Sequence, residues 1–227
     1  MCAYLQYGLK VKPPRSIPFT LNNAVDRLLK DEFDRCRAAG EPHPWQSGAP
    51  YGMRPWSDPR LDRWRSTLQG LERLIPGSGV KLYGALDDIW IDDGGELHVV
   101  DYKATGSKSA ADMTSGWSDS YRRQVEVYQW LLRGYGLPVS DVAFFLFCTV
   151  DDSSGFGGSL RFVPRLVPHV GSDAWVPERA HELVTLLRGQ APPMPGPSCE
   201  SCVHRSAAAA ALAAAGGSTI GEPRGGA

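Results

Sequence analysis

No run of roughly 18 apolar residues occurs along the chain, so no segment has the length and hydropathy of a membrane-spanning helix. No excess of one charge is present either. The 24 lysines and arginines nearly balance the 25 aspartates and glutamates, for a net charge of -1, so no overall basic field advertises a nucleic-acid partner. A neutral total still leaves room for a locally basic cleft. Cysteine is scarce and odd in number, five in 227 residues, which argues against a disulfide framework. Met1 leads into Cys2-Ala3-Tyr4-Leu5 with neither a charged nor a long apolar leader, and a cytoplasmic protein is expected. Internal repeats are absent as well. What is present is an ordinary soluble composition with 42% hydrophobic residues, enough for one domain over 1–205. The Ala/Gly-rich end, 206–227, reads as a frayed helix running into a disordered tail.

Local patterns divide the chain. Val25, Leu28, Leu29, Phe33 and Cys36 recur at helical spacing, predicting a helix over 23–39 capped by Thr20 or Asn22. Residues 40–60 are rich in Pro, Gly and Trp and read as a loop, followed by a second helix over 59–74. The period then falls to two, and KLYGALDDIWI, DDGG and ELHVVDYKAT together predict a β-hairpin. A small-residue loop over 105–117 precedes a helix from Ser118 or Asp119 to about Gly134. The apolar run VAFFLFCTV (142–150) is a buried strand with Cys148 in the core. A strand over 159–168 and a helix over 176–188 complete the pattern.

Hairpin register decides which charges meet. A three-residue loop, Asp93-Gly94-Gly95, sets Asp92 opposite Glu96 and, counting back, Asp87 opposite Asp101, with Cβ atoms roughly 5 Å apart. Ala85, Asp87, Ile89, Ile91, Leu97, Val99, Asp101 and Lys103 then share one face. Asp88, Trp90, Asp92, Glu96, His98, Val100 and Tyr102 share the other. A two-residue loop would oppose Asp87 to Val100 and mix acids into the Leu97/Val99 face, so the segregated register is expected. Two carboxylates that close repel unless one is protonated or a cation lies between them. Oxygen-only donors suit Mg²⁺ or Mn²⁺, which polarise a phosphoryl oxygen, and a neighbouring lysine can stabilise charge developing on the phosphate. The bland alternative is a surface Asp–Lys pair of little energetic value.

The order of these features is more specific than the Asp-x-Lys tripeptide. Gly84-Ala85-Leu86-Asp87, the hairpin, Asp101-Tyr102-Lys103 and a helix carrying Gln124-x-x-x-Tyr128 resemble the PD-(D/E)XK nuclease superfamily, in particular its RecB-like branch, which includes CRISPR-associated adaptation exonucleases. The resemblance implies an α/β (α+β) fold with a restriction-endonuclease-like core, a central mixed sheet flanked by helices. It implies that Asp87 and Asp101 bind a divalent metal, that Lys103 is catalytic, and that Gln124 and Tyr128 line the nucleic-acid side. Arg122 and Arg123 flank that helix face as candidate phosphate contacts. In this branch the first helix often adds a ligand, frequently histidine. Asp26 stands at the corresponding place, with Glu32 as fallback. Relatives also hold an iron–sulfur cluster with one N-terminal and three C-terminal cysteines. Cys2, Cys199 and Cys202 match part of that layout, with His204 or a cysteine upstream of Met1 as the missing ligand for a cluster or Zn²⁺. The expected activity is Mg²⁺- or Mn²⁺-dependent hydrolysis of phosphodiester bonds, in DNA rather than RNA. The alternative is an inactive member of the fold that binds nucleic acid or protein.

Overall fold

The structure, a computed structural model, describes residues 4–11, 20–46, 49, 52–113, 118–153, 155–189, 191–196 and 199–214. The chain divides into two compact units, Ile17–His181 and a smaller one made of Met1–Ser16 with Glu182–Ala227. The larger unit carries α1 (Thr20–Ala39), β1 (Arg54–Pro55), α2 (Leu61–Arg65), β2 (Leu71–Leu74), β3 (Lys81–Gly84), β4 (Asp88–Ile91), β5 (Leu97–Thr105), α3 (Ser118–Arg133), β6 (Val142–Asp151) and β7 (Arg161–Val170). Helix α4 (Val176–Arg188) starts in it. The smaller unit holds a π-helical turn at Tyr4–Gly8 and helix α5 (Glu200–Ala214). The alanine run is thus helical to Ala214, and the remaining tail lies outside the described residues.

Five strands form one mixed sheet in the order β1-β4-β5-β6-β7. Only the β5–β6 pair is parallel. Both edge strands contain proline, Pro55 in β1 and Pro164 and Pro168 in β7, the positions where a missing N–H is tolerated. Alternation along the two central strands produces two cores. Ile89, Val99, Phe145 and Phe147 pack against Val125, Tyr128 and Leu131 of α3. Trp90, Val100, Tyr102, Phe144 and Leu146 pack against Leu29 and Phe33 of α1 on the opposite face. With both faces covered, β5 is buried from Leu97 to Tyr102. Among the described residues no helix is long and apolar enough to cross a membrane.

The hairpin has the register of the three-residue loop. Asp88 pairs with Val100, Ile89 with Val99, Trp90 with His98 and Ile91 with Leu97, and the Asp92 N–H donates to Glu96 O at 3.1 Å. The ladder ends one pair before Asp87, so Asp87 and Asp101 do not form the cross-strand pair expected. Instead a side-chain oxygen of Asp87 accepts the Tyr102 N–H at 2.9 Å.

The helix expected over 59–74 is confined to Leu61–Arg65. Ser66 leaves it in extended conformation, and Gly70 has a φ of +56°, where a Cβ would lie 2.5 Å from Gly84 O. Leu71–Leu74 then pairs with Lys81–Gly84 in a separate two-stranded sheet, closed by the Pro76-Gly77-Ser78-Gly79 turn. Leucines at 71 and 74 satisfy helical spacing as well as a short strand, and the pairing partner decides between them. KLYG therefore belongs to that hairpin and not to the one carrying Asp101. The 40–60 loop includes a 3₁₀ turn (Pro44–Gln46) and β1, while a second 3₁₀ turn (Lys108–Asp112) interrupts the loop expected after residue 105. The last strand lies two residues later than expected, at Arg161–Val170, where ten pairs to β6 fix its ends.

Candidate active site

A cavity of about 450 Å³ opens between the N-terminal half of α1, the 85–87 segment, the end of β5 and the start of α3. Asp26 and Lys30 reach it from α1, Arg65 and Thr67 from α2 and the turn after it, and Asp87, Asp101 and Lys103 from the hairpin strands. Tyr121 and Gln124 close the α3 side. Strand alternation explains the shared direction of Asp101 and Lys103, which lie two residues apart on one side of β5.

Asp101 is the most constrained of these groups. It is 1% exposed, and no backbone N–H or hydroxyl donates to its buried oxygens. The Lys103 ammonium pairs with one oxygen, and the Asp87 carboxyl lies beside it. Burial pushes the Asp101 carboxyl up to about 7, with the Asp87 charge adding to the rise and Lys103 opposing it. Lys103 is itself steadied by the ring of Tyr121, whose centroid lies 4.6 Å from Nζ. Lys30 donates to Asp26 at 2.8 Å and to Asp87 at 3.1 Å. Burial pulls the Lys30 ammonium down in pKa, but the charges of Asp87 and Asp26 outweigh it and the group sits above the ordinary lysine value. Burial likewise raises Asp26, with its hydrogen bond to Lys30 opposing.

Glycine at position 84 has a packing reason. A Cβ there would lie 2.8 Å from the Tyr128 ring, so the strand end can approach α3 only without a side chain. Tyr128 in turn accepts a 2.9 Å hydrogen bond from Gln124 Nε2. Gly84, Tyr128 and Gln124 form a stack that fixes the Gln124 amide at the cavity wall, while Tyr128 itself does not line it. Burial raises the Tyr128 hydroxyl to about 12, so it remains protonated.

Other expected residues fall elsewhere. Arg122 bonds Asp119 and Met113 O, and Arg123 bonds Asp119 O; neither lines the cavity. Glu32 faces His43 at 3.4 Å, on another side of α1. Cys199 and Cys202 stand at the start of α5, and Arg205 donates to Cys202 Sγ at 3.3 Å. Cys2 lies outside the described residues. Among the described residues no group of three or more His, Cys, Asp and Glu side chains is gathered closely enough to hold a metal. Lys30 and Arg65 are cavity residues that the sequence pattern does not single out. The four-residue spacing of Asp26 and Lys30 is the signal for the first. Arg65 carries no local signal, because its partners Asp34 and Asp88 are distant in sequence.

Residues 5–207 match the family described as the PD-(D/E)XK nuclease superfamily. The chain belongs to that superfamily. Its mixed sheet flanked by helices accords with the restriction-endonuclease-like core. PD-(D/E)XK proteins are usually nucleases, typically with divalent metals such as Mg²⁺ or Mn²⁺, and this places the chain among proteins that act on nucleic acid. A search of the curated proteins finds no match. The two charged side chains of the Asp101-Tyr102-Lys103 segment of β5 face the cavity.

Proposed function

We propose that the protein is a divalent-metal-dependent nuclease that hydrolyses phosphodiester bonds in DNA. The observation that carries this reading is the Asp101 carboxylate, buried at a cavity wall beside the Asp87 carboxyl, with one ammonium, Lys103, as its cation. A buried carboxylate with a purely structural role is ringed by fixed donors, and two adjacent carboxylates call for a cation. The donor set fits a hard cation. Asp87 and Asp101 offer only oxygen, and Mg²⁺ characteristically takes one or two carboxylates and completes its shell from water and substrate phosphate. A three-carboxylate cage is therefore not required, and Asp26 is the additional ligand available from α1. Such an ion supplies Lewis acidity at a phosphoryl oxygen.

The protein residues divide the remaining work. Asp87 is aimed by the Tyr102 N–H, so one oxygen is tied to the backbone of β5 and the other, paired only with the Lys30 ammonium, is the one turned to a ligand. Lys103, held between Asp101 and the Tyr121 ring, stabilises charge developing on the reacting phosphate. Gln124, fixed by Tyr128, presents its amide to the nucleotide. DNA in preference to RNA is the reading of the family order.

The test is incubation of the purified chain with single-stranded, duplex and branched DNA, with Mg²⁺ or Mn²⁺ and with EDTA. Wild type is expected to cleave only with metal, and Lys103→Ala to lose about 10²–10³-fold in rate. Cleavage that persists in EDTA or in Lys103→Ala would contradict the assignment. Failure of wild type to cut any substrate would favour the non-catalytic binding module.

A further inference from the structure

The cations lining the cavity are Lys30, Arg65 and Lys103. Two of them are committed. Arg65 donates to Asp34 at 2.8 and 2.9 Å and to Asp88 at 2.6 Å, and its side chain is only 8% exposed. Lys103 is paired with Asp101. Lys30 is different in kind. Its ammonium spans Asp26 and Asp87, on the Asp87 oxygen not held by the Tyr102 N–H. A divalent ion ligated by that oxygen would meet the ammonium at close range, and the two cannot share it without strong repulsion.

Asp87 is fixed by the backbone of β5, whereas Lys30 ends a flexible four-carbon stem with three rotatable donors. When the two compete, the lysine is the partner that moves. Once displaced from Asp87 it stays tethered in the cavity, and the phosphate backbone is the anion that a nucleic acid brings there. We propose that Lys30 is a phosphate-binding residue held in reserve: it neutralises Asp26 and Asp87 in the metal-free protein, and yields to a divalent cation to grip the nucleic-acid backbone. This rests on the metal-nuclease reading of the same cavity.

Two variants of the full chain test it, Lys30→Met, which keeps the stem without charge, and Lys30→Arg, which keeps the charge. Mn²⁺ binding is measured by titration calorimetry. Affinity for a short DNA oligonucleotide is measured by fluorescence anisotropy in Ca²⁺ over a series of salt concentrations. Removing the competing ammonium is expected to tighten Mn²⁺ binding several-fold in Lys30→Met. The same variant should bind the oligonucleotide several-fold more weakly, with a salt slope smaller by about one ion. Lys30→Arg should keep the wild-type salt slope and bind Mn²⁺ no more tightly than wild type. If Lys30→Met does not fold in EDTA, the Lys30→Arg pair of measurements carries the test.

Unchanged or weaker Mn²⁺ binding in Lys30→Met overturns the proposal, as does an unchanged salt slope, or a Lys30→Arg protein that loses the wild-type slope. None of these readouts needs catalysis. A wild type that cuts nothing while the Lys30 shifts appear sinks the nuclease reading and leaves the Lys30 assignment standing. Cleavage by wild type with no Lys30 shift sinks the assignment alone. Absence of Mn²⁺ binding in both wild type and Lys30→Met overturns both.

Discussion

Asp88 and Asp101 are equally buried, at 0% and 1% exposure, on adjacent strands of one hairpin, yet their surroundings are opposite. Asp88 receives Arg37, Arg65 at 2.6 Å, the Tyr102 hydroxyl at 2.7 Å and the Ile89 N–H at 2.8 Å. Both oxygens accept hydrogen bonds. Asp101 has one ammonium and the Asp87 carboxyl beside it, with no backbone or hydroxyl donor. Burial alone therefore says little about role; satisfaction of the buried charge separates the two. Tyr102 joins them, since its hydroxyl serves Asp88 on one face while its N–H aims Asp87, the neighbour of Asp88, towards the cavity.

The contrast breaks most visibly on the structural side. Asp88→Ala strands two buried guanidiniums that keep Asp34 and, for Arg37, the Trp56 carbonyl, and is expected to cost about 3–5 kcal/mol of stability by chemical denaturation. An Asp88→Ala protein as stable as wild type would show that the arginine network is decorative.

pH separates the two carboxylates next. The folded Asp101 pKa, about 7, lies above the ordinary value of 3.8, so the native metal-free protein binds a proton that the unfolded chain has released. Its contribution is fully present below about pH 4 and is lost as pH rises to about 7. On the proposed reading metal affinity runs the other way, because a cation would be held only by ionised Asp101. It should climb up to tenfold per pH unit below about 7 and level off above, as read by Mn²⁺ titration across pH 5.5–8.5. In Asp101→Asn both trends should flatten.

A smaller effect sharpens the link to α3. Gly84→Ala places a methyl 2.8 Å from the Tyr128 ring, and about 1–3 kcal/mol of strain is expected, with a loss of cleavage that outlasts correction for stability because Gln124 shifts. Equal folding stability in the variant and wild type would remove the stack from the account. Smallest of all, Arg122→Ala and Arg123→Ala lie off the cavity lining and should change cleavage by no more than a few-fold, each lowering the salt slope of DNA binding by about one at most.

Much of this was legible in the residues themselves. Period-two alternation that keeps Asp88, Asp92 and Glu96 off the Leu97/Val99 face was enough to set the hairpin register, because a slip of one residue would have put Asp88 among Val99 and Leu97. Amphipathic spacing located α1, α3 and α4 for the same reason. Long-range partners escaped. Leu71–Leu74 is a strand only because Lys81–Gly84 lies beside it, and β1 is two residues long. The adjacent pair Asp87-Asp88 did announce that one carboxylate points to each side of the strand. Which of them is satisfied depends on Arg37 and Arg65, which no local pattern connects to Asp88. Lys30 was likewise hidden, since an Asp-x-x-x-Lys pair on a helix is usually an exposed surface pair.

Thermal unfolding of Asp101→Asn at pH 8, in EDTA and then with Mn²⁺, tests the central distinction most directly. If Asp101 is held ready for a cation, removing its buried charge should leave the melting temperature in EDTA at or above that of wild type and abolish the stabilisation by Mn²⁺. A fall in EDTA as large as that of Asp88→Ala, or a Mn²⁺ shift equal to that of wild type, would contradict it.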